Sequence, residues 1–188
     1  MRRSTKVLLT AGLLLMAVGV GLLTADVIRT AVYRDRAADT AAQMEAALPP
    51  ASAGIPAEGA EMPVWQWEGQ DMVALLNIPA YDVKLPVGAT WGKTAAYPRL
   101  FSGSVHDGDL VIGGADRAGQ LDCLDVIGDG TVVTVTDMSG AVYSYTVAQV
   151  ERSRTADAAV IVEDGYDLTL FVRDTYSLEH ILVRCTRT

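Results

Sequence analysis

Nineteen consecutive residues, Val7 to Ala25 (VLLTAGLLLMAVGVGLLTA), carry no charge. As a helix rising about 1.5 Å per residue they span about 28 Å, close to the hydrocarbon thickness of a bilayer. Arg2, Arg3 and Lys6 come just before the run. Basic residues tend to stay in the cytoplasm, which sets the N-terminus inside and the body outside. Arg29, Arg34 and Arg36 follow the run and weigh against that orientation. A cleaved signal peptide is the competing reading, although its apolar part is usually shorter, roughly 7–15 residues. A buried soluble helix fits less well, because the run has no polar face. The expectation is a cytoplasmic basic end over residues 1–6 and a transmembrane signal-anchor over 7–28.

Charge divides the chain in the same place. Residues 1–36 hold six basic residues against Asp26 and Asp35, while the whole chain of 188 residues has a net charge of −8. The remainder is therefore strongly acidic, which argues against nucleic acid as a partner. Half of the residues are hydrophobic, which excludes a wholly disordered chain. Two cysteines exclude a disulfide scaffold and a four-cysteine zinc site. No cofactor motif is evident.

Residues 29–47 are rich in Ala, Arg, Asp and Glu, which suits a helix running on from the anchor; Pro49 and Pro50 stop it. Residues 51–63 read as a linker, so 29–63 is expected to be a helical stalk and linker. From about Val64 the pattern changes to short strands: 73–78, 83–87, 110–112, 131–136, 141–150, 168–172 and 181–183. Pro86 marks an edge or a bend. Asp137-Met138-Ser139-Gly140 is a hairpin signal, and a short helix fits 121–127. Many short strands at this spacing indicate an all-β barrel or sandwich over 64–188, long enough to bury a core.

The order of these segments resembles the sortases, membrane-anchored cysteine transpeptidases of Gram-positive bacteria. Leu76-Asn77-Ile78-Pro79 and Leu85-Pro86-Val87 look like the family's opening strands. Asp109-Leu110-Val111-Ile112-Gly113-Gly114 looks like the strand ending in Gly-His, and Leu168-Thr169-Leu170-Phe171-Val172 like the strand before the catalytic cysteine. Ile181-Leu182-Val183-Arg184-Cys185 is similar to the last strand, just after the catalytic arginine. The resemblance implies an all-β, sortase-like eight-stranded β-barrel with short helices, preceded by one N-terminal transmembrane helix. It also implies a thiolate that attacks a peptide carbonyl, a histidine that moves protons, and an arginine that steadies the oxyanion.

At the matching positions stand Ala115 for the histidine, Arg173 for the cysteine and His180 for the arginine. Alanine has nothing to titrate, and an arginine side chain cannot act as an acyl nucleophile. His180 can still donate a hydrogen bond or act as an acid. Cys185 and Cys123 are the alternative nucleophiles. Cys185 sits in an apolar strand and reads as a core thiol. Cys123 lies beside Asp122 and near Asp125, which disfavours a thiolate. A Cys123–Cys185 disulfide is conceivable outside the membrane.

His106, with Asp107, Gly108 and Asp109, reads as a polar turn, against a metal loop or a displaced catalytic histidine. Asp116, Asp122 and Asp125 lack the spacing of a calcium loop, so no metal is expected. Ser102 and Ser104 near His106 read as loop residues; Trp65, Trp67 and Trp91 read as barrel packing, against peptide or membrane contact. Arg173 has two readings: a salt bridge to Asp174 or another acid, or a fixed cation that binds a carboxylate.

The function implied is a degenerate sortase-like protein on the outer face of the cell membrane. It would bind a sorting-signal-like peptide or a surface protein, or dock to an active sortase, as an accessory module in surface-protein anchoring. Arg173 and His180 are the binding candidates. The alternative is a divergent active transpeptidase using Cys185 or Cys123.

Overall fold

A computed structural model describes residues 2–50, 59–92, 97–155, 157–162 and 165–188. Among the described residues nine strands follow one long helix: β1 (Trp65–Trp67), β2 (Gln70–Ile78), β3 (Val83–Gly88), β4 (Arg99–Ser102), β5 (Leu110–Ala115), β6 (Val132–Asp137), β7 (Val142–Ser153), β8 (Leu168–Arg173) and β9 (His180–Arg187). Their order in the sheet is β1-β2-β3-β4-β5-β8-β9-β7-β6, and β2 also pairs with β6. That last pairing closes β2 to β9 into an eight-stranded barrel. β1 extends it along the same edge of β2, pairing at Gln70–Met72 where β6 pairs at Ala74–Asn77.

Alternation builds the core. In β6 and β7, Val133, Val135, Tyr143, Tyr145 and Val147 are buried and their neighbours are not, as a strand with one face inward requires. β5, β8 and β9 differ. They are buried on both faces over most of their length, because a second apolar cluster of Val111, Ile161, Phe171 and Leu182 covers their outer side. Three short elements complete the described body: a 3-10 helix at Pro79–Tyr81, a second at Asp122–Asp125, inside the stretch expected to be helical, and α2 (Ala158–Ile161). Asp157 caps α2 by accepting from the Ala159 N–H. The 138–141 turn joins β6 to β7 where the hairpin signal lies.

The helix α1 (Arg2–Ala47) is continuous. Its second half, within the stretch expected to be a helical stalk, packs on the barrel. Ala37, Ala41 and Met44, spaced along one face, are fully buried in the barrel's main cluster. Thr40 hydrogen-bonds Tyr97 (3.1 Å), and Glu45 pairs with Lys84 on β3 (2.7 Å). This contact explains why both faces of β3 are buried from Leu85 onward. The first half is different: from Leu13 to Ile28 its large apolar side chains are more than half exposed. Among the described residues no helix is long and apolar enough to cross a membrane. Residues 7–10, the start of the uncharged run, fall outside the described side chains, and most of the expected linker (51–58) lies outside the described residues.

Candidate functional site

Strand register brings the three matched positions together. β5 and β8 are parallel with Ala115 opposite Arg173, and β8 and β9 are antiparallel with Arg173 opposite His180. Residues paired across a sheet share a face, and neighbouring strands lie about 4.8 Å apart. Ala115, Arg173 and His180 therefore form one row about 10 Å long, on the outer face at one end of the barrel. The inner face of the same strands carries Ile112, Leu170 and Val183, all fully buried.

Next to the row stands an aromatic wall. Phe171, two residues before Arg173 on the same face, lies 5.4 Å from Trp91 and 5.3 Å from Phe101, ring centre to ring centre. Trp91 and Phe101 meet edge to face at 5.1 Å. Two of these rings crowd the strand at Gly113, where a Cβ would come within 2.5 Å of both Phe171 and Trp91. Glycine is needed there by steric contact. Trp91 remains 46% exposed, while Phe171 is buried. Trp65 and Trp67, by contrast, are partly buried against the main core, as expected.

Below the wall, Arg184 is fully buried on the outer face of β9. It donates to the carbonyls of Ile161 (2.8 Å) and Val160 (2.5 Å) and to Thr169 Oγ1 (3.1 Å). Glu151 lies 3.8 Å away. These bonds fasten α2 to the sheet. No sequence signal pointed to this role, because Val160 and Ile161 approach Arg184 from an element distant in the chain.

The row's electrostatics follow from where the acids go. Asp174 is not Arg173's partner. It caps its own turn, accepting from the Tyr176 and Ser177 N–H groups and the Ser177 hydroxyl, and it pairs with Arg152 (3.4 Å). Those bonds, led by Ser177, hold its carboxyl below the usual range. Arg152 also pairs with Asp125, and Arg154 with Glu179 (2.8 Å). Asp116 accepts from the Thr175 N–H (3.0 Å). Arg173 is left exposed, with no ion pair within 4.0 Å among the described residues. Burial, then the positive charge of Arg173, push the His180 imidazole below its ordinary value of 6.5. His180 is thus neutral at physiological pH, beside a fixed cation.

Neither cysteine belongs to this row. Cys185 is fully buried on the inner face, and burial pushes its thiol up to about 12. Cys123 lies in the 3-10 helix, where burial and then Asp122 raise it to about 11. Both are free thiols, so the conceivable disulfide is not formed. Cys123 borders a cleft of about 560 Å³ between α1 and the barrel, with Arg34, Asp35, Lys84 and Asp122 on its walls. Asp122 and Asp125 assemble no metal site, and the described residues contain no group of three metal-ligating side chains.

His106 does lie in a turn, but not a solvated one. Its ring is buried, with Nδ1 2.8 Å from the Ala60 carbonyl and Nε2 3.8 Å from the buried Asp137 carboxylate. Ser104 accepts from the backbone N–H groups of His106 and Asp107, a turn role and not that of a nucleophile. Ser102 closes β4, its hydroxyl buried and unpartnered among the described residues.

No protein-family model and no curated relative matches the sequence. Solved structures do match. Sortase A from Corynebacterium diphtheriae aligns with 82% of this chain and 84% of its own, at 19% identity and a TM-score of 0.53. Clostridium perfringens sortase C, solved with the C-terminal cell wall sorting motif, aligns with 85% and 87% at 17% identity and 0.54. Sortase C1 from Streptococcus agalactiae aligns with 61% and 66% at 21% identity and 0.51. Identities this low carry the architecture and nothing about activity. The chain has the sortase fold.

Proposed function

We propose that this sortase-fold protein binds a peptide on the outer face of the cell membrane without cutting it. The observation that carries the reading is the Ala115–Arg173–His180 row: an aromatic wall and a fixed cation where the fold's reacting groups are expected, with no thiol or hydroxyl among the three. Arg173 suits a carboxylate on the ligand, His180 donates or accepts a hydrogen bond, and Trp91 offers an apolar contact. The partner is a sorting-signal-like peptide or the surface protein carrying it, with an active sortase as a second docking partner. The role is accessory to cell-surface protein anchoring. The related sortase C solved with a sorting motif supports a peptide as the ligand class. Residues 7–28 serve as the anchor, which accounts for the exposed apolar side chains on the first half of α1.

The test uses the full chain in detergent with a panel of sorting-signal peptides and an amine acceptor. The expected result is saturable binding, weakened by Arg173→Ala, and no acyl adduct in the intact mass. An adduct that disappears in Cys185→Ala or Cys123→Ala overturns the reading and makes the protein a divergent transpeptidase.

A further inference from the structure

The loop joining β8 to β9 is a built turn with an apolar tip. Asp174 organises it through three bonds to residues 176 and 177, and Asp174 and Glu179 close its neck (2.8 Å). Leu178 sits at φ 60°, a left-handed conformation that a leucine adopts at a cost. The outcome is that Tyr176 is 95% exposed and Leu178 57% exposed. A turn this well fixed that presents two large apolar side chains outward calls for something to cover them.

A series of contacts connects this tip to the helix that carries the uncharged run. Thr175 donates from its N–H to Asp116 Oδ2 and from its hydroxyl to the Asp116 carbonyl (3.0 and 3.3 Å). The next residue, Arg117, stacks on Tyr33 of α1 (4.9 Å). Gly119 sits against Arg34, where a Cβ would come within 2.8 Å of the arginine's own Cβ. Farther along α1 the helix meets Tyr97 through Thr40 and then Lys84 through Glu45. The loop at 116–121 is thus the part of the barrel met first on leaving the uncharged run. From Ala25 to Tyr33 is eight residues of unbroken helix, about 12 Å.

We infer that the Tyr176–Leu178 tip is a second membrane contact, resting in the lipid headgroup layer beside α1. This rests on the anchor reading of residues 7–28 given above. A tyrosine suits that layer, with an apolar ring and a polar hydroxyl. The exposed Arg173 at the base of the turn adds a cation for lipid phosphates. Two contacts fix the barrel's orientation where one helix alone would leave it free to rotate. The Ala115–Arg173–His180 row lies at the same end, so a ligand held there sits close to the headgroups.

The experiment places one extra tryptophan in the full chain, reconstituted in vesicles of equal parts phosphatidylcholine and phosphatidylglycerol. The phosphatidylcholine is brominated either high or low on its acyl chains. In Tyr176→Trp the emission added to that of the parent is expected to be mostly lost with the shallow bromines and kept with the deep ones. Leu15→Trp reports the anchor and is expected to be lost most with the deep ones. Quenching of Leu15→Trp with Tyr176→Trp untouched overturns the tip contact and leaves the anchor standing. Shallow quenching of Tyr176→Trp without quenching of Leu15→Trp supports the tip and overturns the anchor. If neither is quenched, both readings fall.

Discussion

The two histidines stand at opposite ends of β9 in opposite circumstances. His180 opens the strand, part-exposed, with Arg173 as its neighbour and no acid in contact among the described residues. Arg187 closes it, stacked on Tyr143 (4.7 Å), whose hydroxyl donates to Asp137 (3.2 Å), which faces His106. Burial, then Asp137, push the Tyr143 hydroxyl up to about 12, so it stays a donor. At the His106 end Asp137 gathers the turn's donors and the Tyr143 hydroxyl, and His106 Nδ1 is held at the Ala60 carbonyl. At the His180 end the acids are tied up elsewhere, and a cation and an imidazole are left facing outward. One end resembles a structural knot and the other a binding surface.

The largest effect belongs to Asp137. It accepts from the Ser139 and Ala141 N–H groups, the Ser139 hydroxyl and the Tyr143 hydroxyl while fully buried. Asp137→Ala leaves those donors without an acceptor and should cost about 3–5 kcal/mol. Arg173→Ala should change stability by no more than about 0.5 kcal/mol, as an exposed residue does. Urea unfolding of the two variants checks the contrast. A cost for Arg173→Ala close to that of Asp137→Ala would break it.

Arg184 should come second. Arg184→Met removes donors from the Val160 and Ile161 carbonyls and from Thr169, and should cost about 2–4 kcal/mol. Hydrogen exchange should also speed up across α2 more than across β6. Uniform acceleration would show that α2 is held by something other than Arg184.

The thiols should be slow. With values of about 11 and about 12, Cys123 and Cys185 are ionised to about one part in a thousand or less at pH 8. Labelling by a thiol reagent, followed by mass, should be at least about 100-fold slower than for a free cysteine peptide. Fast labelling of either would move the chemistry away from the Arg173 row.

Much of this was legible in the sequence. The apolar runs at 110–112 and 168–172 read as strands and are strands; their parallel pairing, which only the structure supplies, sets Ala115 beside Arg173. Asp137 to Gly140 announced the hairpin. Other features had no local signal. Ala37, Ala41 and Met44 lie in a stretch whose alanines and charges suit a solvated stalk as well as a docked helix, and the partner face on β3 is distant in sequence. β4 is four residues long, and its second residue pairs with Ile112 across a register shift, so it has no periodicity to read. His106 stands among polar residues, and its burial is created by Asp137 and Ala60, which approach from other elements. Arg173 looked ready to pair with Asp174, but the acid is spent on the backbone of its own turn.

The smallest effect is the pH response of His180. Its folded value lies below 6.5, because of burial and then Arg173, so between those two values the unfolded chain binds more protons than the folded one. Stability therefore rises with pH across that window and levels off above about 6.5. Arg173→Ala removes the repelling charge and leaves the burial, so the His180 titration followed by NMR should move up while remaining below the ordinary value. The window narrows, and the slope of stability below pH 6.5 should shrink with it. The two readouts must move together: a His180 titration that ignores Arg173→Ala would mean that the guanidinium points away from the imidazole, and that the row does not act as a single site.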